Sequence, residues 1–355
     1  MESCAIRVAR CVTAAVESGC TPKEDATTTP YRAGLKRGLD ACASPRGVFS
    51  VLALDHRQNL RREIRPDDPD SVSIDEMADL KRDIVRGLGG HVSGVLLDPE
   101  FGAPRCIADG SLPGNVGLIV AIEATGYEGP STARRSRVLE GWSVAKAKRM
   151  AATAAKLLVY YNPDAATADQ QERLVRDVAE ECRRLDLALF LEPITYPVDP
   201  SGTSLTGEAR RRIVIDTARR LTAMGGDILK VEFPYDASVA DETRWADACA
   251  ELDDASPIPW VLLSGGVDDL TFERQVEVAC RAGASGVLVG RSVWAEASRL
   301  SGMDRQRFLA TEATDRLRRL VSTVEAHGRP WHHRLPEFRN VAVDPGWYRD
   351  YPEAE

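Results

Sequence analysis

Lys230 follows Asp227-Ile228-Leu229 and precedes Val231-Glu232-Phe233-Pro234, which sets a long cationic side chain inside an apolar run. Burial strips solvent from an ammonium and favours the neutral amine, the form that attacks carbonyls. The competing reading is a lysine that snorkels to the surface or pairs with Glu232. Lys156 opens a comparable run, Lys-Leu-Leu-Val-Tyr-Tyr. There a second cation would either push Lys230 further toward its neutral form by like-charge repulsion or ligate a substrate oxygen. An ion pair of Lys156 with Glu192 or Asp55 is the structural alternative. Glu192 closes Leu-Ala-Leu-Phe-Leu-Glu and Asp55 ends another apolar run. A carboxylate at such a point exchanges protons with a substrate hydroxyl, or else serves as a helix cap or salt bridge.

Two glycine turns suggest an anion. Ser264-Gly265-Gly266 and Gly290-Arg291-Ser292 each end an apolar run ahead of a helical segment. Exposed backbone N–H groups and a helix N-terminus attract phosphate, and Arg291 adds a charge-assisted contact. Together they favour a substrate that carries phosphate.

Eight apolar runs supply the elements that must position these groups: Val48–Asp55, Gly94–Asp98, Gly117–Glu123, Ala154–Tyr161, Leu187–Ile194, Asp227–Pro234, Trp260–Gly266 and Gly286–Trp294. They are short, rich in Val, Ile and Leu, and nearly continuous, as parallel strands covered on both faces are. Five end in or run into Asp55, Asp98, Glu123, Glu192 and Lys230. Amphipathic segments separate them. One starts at the capping-box pattern Ser73-Ile74-Asp75-Glu76, and another carries Phe272, Val276 and Ala279 toward a stop at Gly283. The stretch between Asp98 and Gly117 is too broken for more than a short helix. With no GxGxxG after the first strand, eight such units predict an α/β fold closed as a TIM (β/α)8 barrel, with reactive groups at the C-terminal strand ends. Residues 1–30 read as a leader, 31–330 as the barrel, and 331–355 as an aromatic tail. That tail would dock on its own barrel or reach a neighbouring subunit of a homo-oligomer.

Composition removes several function classes. The formal charge of −8 over 355 residues, with no long basic run, argues against nucleic acid as partner. The uncharged stretch near the N-terminus is too short for a signal or a membrane span. Eight scattered cysteines without a CxxC pair read as reduced thiols of a cytoplasmic protein. The five histidines show no spacing that suggests a metal site, so neither metal nor cofactor is expected.

Over residues 31 to 331 the chain resembles the class I tagatose-1,6-bisphosphate aldolases. The resemblance rests on Ala53-Leu54-Asp55-His56-Arg57, Leu96-Leu97-Asp98-Pro99-Glu100-Phe101-Gly102, Thr125-Gly126-Tyr127, Trp142-Ser143-Val144, Lys156 to Tyr161, Leu191-Glu192, Leu229-Lys230-Val231-Glu232, Leu263-Ser264-Gly265-Gly266-Val267 and Gly290-Arg291. It implies an imine on Lys230, acid/base chemistry by Glu192, pocket roles for Asp55 and Lys156, and a phosphate held by Ser264 and the Gly290-Arg291 turn. It also implies substrate contact by Arg134, in the loop after the third strand. His56 departs from the glutamine more usual beside that aspartate, which bears on which sugar is cleaved. The implied reaction is cleavage of a phosphorylated ketose to dihydroxyacetone phosphate and glyceraldehyde 3-phosphate. Schiff-base aldolases of sulfofructose phosphate share the pattern, although the Thr-Gly-Tyr loop with Arg134 is closer to the tagatose group. An isomerase or epimerase with the same anion site but no covalent lysine, and a non-catalytic barrel, are the remaining alternatives.

Overall fold

Each apolar run forms a strand because β-branched and leucine side chains fill both faces of a sheet that is covered outside by helices and inside by its own interior. A computed structural model describes residues 32–339 together with 341, 343, 345–349, 351 and 353. The proposed leader lies outside the described residues. The strands are β1 (Phe49–Leu54), β2 (Gly94–Leu97), β3 (Gly117–Ala121), β4 (Ala154–Tyr161), β5 (Ala188–Thr195), β6 (Ile228–Val231), β7 (Trp260–Leu263) and β8 (Gly286–Val289). All pair in parallel, in chain order, and β8 closes on β1, so the sheet is a TIM barrel. The run expected to continue to Trp294 stops at Val289, because after Gly290 the chain turns into a one-turn helix, Arg291–Trp294.

Closure depends on the interior being filled. The rings of Phe49 on β1 and Phe190 on β5 meet edge-on at 5.6 Å. Since those strands lie across the barrel, the contact crosses its centre. At the β8–β1 seam Gly286 adopts φ +142°, and a Cβ there would fall 1.9 Å from the Phe49 carbonyl oxygen, so only glycine lets the seam close.

The helices follow the sequence signals closely. Here α1 is Ala33–Cys42, α2 Gln58–Ile64 and α3 Ile74–Leu88. The Ser73/Glu76 capping box forms as expected, and Met77, Leu80, Ile84 and Leu88 are buried. The broken crossover after β2 holds only the short α4 (Ala103–Ala108). Then come α5 (Val144–Arg149), α6 (Ala168–Arg184), α7 (Gly207–Thr222), α8 (Glu242–Ala255) and α9 (Asp269–Ala282). The last ends at Gly283 with φ +130°. After α10 (Arg291–Trp294), α11 (Gly302–Phe308) and α12 (Thr314–His327) complete the ring. No helix among the described residues is long and apolar enough to cross a membrane. Beyond α12, Trp331 is buried with its backbone N–H on the Gly47 carbonyl, and Phe338 is buried beside it.

Candidate active site

Five charged side chains come together: Asp55 and Glu123, just past β1 and β3, and Lys156, Glu192 and Lys230, within β4, β5 and β6. Lys156 is fully buried on β4. Its ammonium lies 2.7 Å from Asp55 Oδ2, 2.6 Å from Glu123 Oε1 and 2.7 Å from Glu192 Oε2. Lys230, almost buried on β6, stands 2.6 Å from Glu192 Oε1. Glu192 therefore bridges the two lysines, one on each oxygen. The ion-pair alternative for Lys156 is the one observed, with a third carboxylate added. The alternative for Lys230 is corrected: its partner is Glu192, because Glu232 instead accepts the Thr195 backbone N–H and hydroxyl and pairs with Arg210 at 3.1 Å.

Burial by itself would drive the Lys156 ammonium toward its neutral form. The charges of Asp55, Glu123 and Glu192 outweigh it and hold Lys156 well above the ordinary lysine range. Likewise burial would raise the Asp55 carboxyl, but Lys156 first, then Lys230, keep it well below the ordinary range. So Lys156 does not act as a free second cation beside Lys230, since its charge is already matched by carboxylates.

Glu123 and Arg57 are the residues that reading the chain alone left unassigned. Glu123 ends its apolar run in the same way as Asp55 and was legible as a strand-end carboxylate. Its role shows only in space: besides Lys156 it accepts the Leu158 backbone N–H at 3.0 Å. Arg57 closes the quoted Asp55-His56-Arg57 motif and donates to the Glu123 carbonyl at 2.7 Å and to Glu100 at 2.5 Å. Asp98 ends a strand too, yet it turns away. It pairs with the fully buried Lys81 of α3 and accepts the N–H groups of Glu100 and Phe101, which makes it a turn anchor.

A cavity of about 740 Å³ opens over these groups, lined by Asp55, Glu123, Glu192 and Lys230 together with Ser264, Gly265, Gly290 and Arg291. Gly265 and Gly266 take φ of +57° and +81°, values that suit glycine in a tight turn. A helix follows this turn, as expected, after two intervening residues. α9 begins at Asp269, and the Asp268 carboxylate caps it by accepting the Thr271 N–H. An anion here would meet the turn and Arg291 rather than that helix terminus. Gly266 faces a neighbouring cavity on the far side of Arg291, so of the glycines in the first turn only Gly265 lines the main one. Arg291 is partly exposed and pairs with Glu63 of α2 at 3.1 Å.

Arg134 does not line the cavity. Its guanidinium stacks over Tyr127 and Tyr196, 4.6 Å from each ring centre, and lies 5.5 Å from that of Tyr160. Tyr127 and Tyr160 do line it. His56 lies against Trp294, ring centres 5.4 Å apart, with a buried Nδ1 that has no hydrogen-bond partner. Burial pulls its imidazole down to about 4 despite the nearby Asp55, so it is neutral at pH 7. A second cavity, about 780 Å³, lies at the opposite end of the barrel among the strand starts, lined by Ser50, Ser93 and Thr153. It is the larger, but it contains neither Lys156 nor Lys230 nor any of their carboxylates, so volume does not locate the chemistry.

A family model described as DeoC/LacD family aldolase matches residues 49–296. Tagatose 1,6-diphosphate aldolase 1 of Streptococcus mutans is 28% identical over 318 residues, covering 83% of this chain and 97% of that protein. The tagatose 1,6-diphosphate aldolase of Streptococcus agalactiae serotype V is 31% identical over 279 residues, covering 73% and 85%. Among solved structures, an archaeal fructose 1,6-bisphosphate aldolase superposes with TM-score 0.55 at 20% identity, covering 82% of this chain and 99% of that one. The fructose-bisphosphate aldolase of Slackia heliotrinireducens gives TM-score 0.59 at 16% identity, covering 88% and 92%. These last two likenesses concern the fold.

Proposed function

Because the chain belongs to the DeoC/LacD aldolase family and is a carbon–carbon lyase, we propose that it cleaves a phosphorylated ketose of the tagatose 1,6-bisphosphate type through an imine on Lys230. The observation that carries this reading is the Lys230–Glu192 contact of 2.6 Å, in the wall of a cavity also lined by Ser264, Gly265, Gly290 and Arg291. The naming of its relatives as tagatose 1,6-diphosphate aldolases supports the sugar.

The steps follow from the contacts. Glu192 takes a proton from the Lys230 ammonium, and the freed amine attacks C2 of the open-chain ketose. Glu192 returns that proton as the carbinolamine loses water, leaving a protonated imine. The iminium then takes the place of the Lys230 ammonium beside Glu192, so the positive charge facing the carboxylates is the same before and after the imine forms. Glu192 next removes the C4 hydroxyl proton, the C3–C4 bond breaks, and its electron pair enters the enamine. Release of the aldehyde is followed by protonation at C3 and hydrolysis to dihydroxyacetone phosphate. An anion held at the β7–β8 turns keeps C2 beside the amine. A cleavage assay on tagatose 1,6-bisphosphate, fructose 1,6-bisphosphate and sulfofructose phosphate tests the substrate. Borohydride trapping with dihydroxyacetone phosphate tests the imine. An adduct on Lys230 is expected, and its absence would overturn the covalent mechanism.

A further inference from the structure

The contacts at Lys156 and Glu192 continue into a longer run of alternating charge. Glu100, after β2, meets Arg57 at 2.5 Å. Arg57, after β1, reaches the Glu123 carbonyl at 2.7 Å and the Glu123 carboxylate at 3.8 Å. Glu123 meets Lys156 at 2.6 Å, Lys156 meets Glu192 at 2.7 Å, and Glu192 meets Lys230 at 2.6 Å. The links pass through the ends of six consecutive strands. Arg57 is 7% exposed, and both of its terminal nitrogens are engaged. Its guanidinium is therefore committed to holding other protein groups.

We infer that Arg57 is a positioning residue: by fixing and neutralising Glu123, it sets the charge balance around Lys156 and Glu192 and so the ease with which Lys230 gives up its proton. Three carboxylates share one ammonium at Lys156, an arrangement that repels itself unless cations stand on both flanks. Lys230 stands on the Glu192 flank and Arg57 on the Glu123 flank. Without Arg57, Glu123 keeps only its share of the Lys156 ammonium, and the added net negative charge of the cluster holds the proton on Lys230 more tightly. The other charged groups around Lys230 leave this direction unchanged. Asp55 and Glu192 are carboxylates tied to Lys156, while Glu232 is tied to Arg210 and Arg291 to Glu63. His56 is neutral above about pH 5, because burial holds its imidazole down to about 4.

This rests on Lys230 being the reactive amine, so the test reads that amine without needing turnover. Competitive acetylation of the full chain with acetic anhydride across a pH series, followed by mass spectrometry, measures the neutral fraction of Lys230. In Arg57→Ala the midpoint should move upward, and added guanidinium ion should return it toward wild type. Arg57→Lys keeps the charge but cannot grip both Glu123 and Glu100. Its midpoint should stay near wild type while its cleavage kcat falls about tenfold, with KM changed less than about threefold. An unmoved midpoint in Arg57→Ala would overturn the assignment, as would a shift that guanidinium leaves untouched. Should Arg57→Ala fail to fold, a wild-type kcat in Arg57→Lys would overturn it equally. Missing borohydride adducts on a wild-type protein with normal acetylation would instead remove the covalent mechanism and leave the Arg57 effect standing.

Discussion

At both ends of the barrel, charge is drawn at least partly out of solvent, but the partner sets differ. Around the starts of the strands, Asp186 accepts the N–H groups of Gly34 at 2.5 Å and Leu35 at 3.2 Å, meets the Tyr351 hydroxyl at 2.5 Å and pairs with Arg32 at 3.3 Å. It does so at φ +49°, a backbone conformation an L-residue adopts only where its surroundings hold it. Asp227 next to it is shared between Arg32 and the Leu189 N–H. The partners there are backbone N–H groups, the Tyr351 hydroxyl and the Arg32 guanidinium, and Asp186 does for α1 what no side chain of its own N-cap does. Around the ends of the strands, Glu192 sits between two lysines, one of which borders a cavity. Burying charge among fixed donors stabilises a fold. Burying it among groups that can trade a proton, beside open space, makes a site.

That contrast is most sharply tested at Lys230. Lys230→Ala should lower kcat by on the order of 10,000-fold, since it deletes the nucleophile. A steady-state assay retaining more than a few per cent of activity would place the chemistry elsewhere. Lys156→Met strands three carboxylates without their shared cation and should cost about 3–5 kcal/mol of stability by denaturant titration. If its stability is unchanged, Lys156 is not the hub of the cluster. Asp186→Ala should cost about 1–2 kcal/mol through the lost cap while leaving kcat and KM intact, so a kinetic defect there would erase the distinction between the two ends.

The smallest effect is at His56, where the sign follows from proton uptake. An unfolded chain protonates this imidazole near 6.5, whereas the folded one, where burial disfavours the charge, does so only near 4. The unfolded state therefore binds more protons between those values. This contribution to stability is complete above about 6.5 and is lost progressively as pH falls toward about 4. His56→Gln should lessen the acid-side fall in melting temperature. An equally steep fall in the variant would assign that pH dependence to other groups.

Much of the site was legible as a roll of strand ends. Glu192 and Asp55 close apolar runs, Lys156 opens one and Lys230 interrupts one near its end, and a barrel sends polar residues at the strand ends to one face. The Ser264-Gly265 and Gly290-Arg291 turns could be read by the same rule. Less legible was which strand-end acids converge. Asp98 and Glu123 look alike along the chain, but the first turns toward Lys81 beneath α3 and the second toward Lys156. Arg134 likewise carries no mark of the three tyrosines that surround it.

Hydrophobic runs and their punctuation were sufficient by themselves to determine eight parallel strands, their helices and the set of polar residues at the strand ends, because those features depend on local burial and backbone preference. Only the tertiary structure decided the partners. Lys156 lies 101 residues from Asp55, 33 from Glu123 and 36 from Glu192, and closing the barrel brings all three carboxylates to its ammonium. Which lysine is neutralised and which is left beside the cavity depends on those distances, and no single stretch of chain contains them.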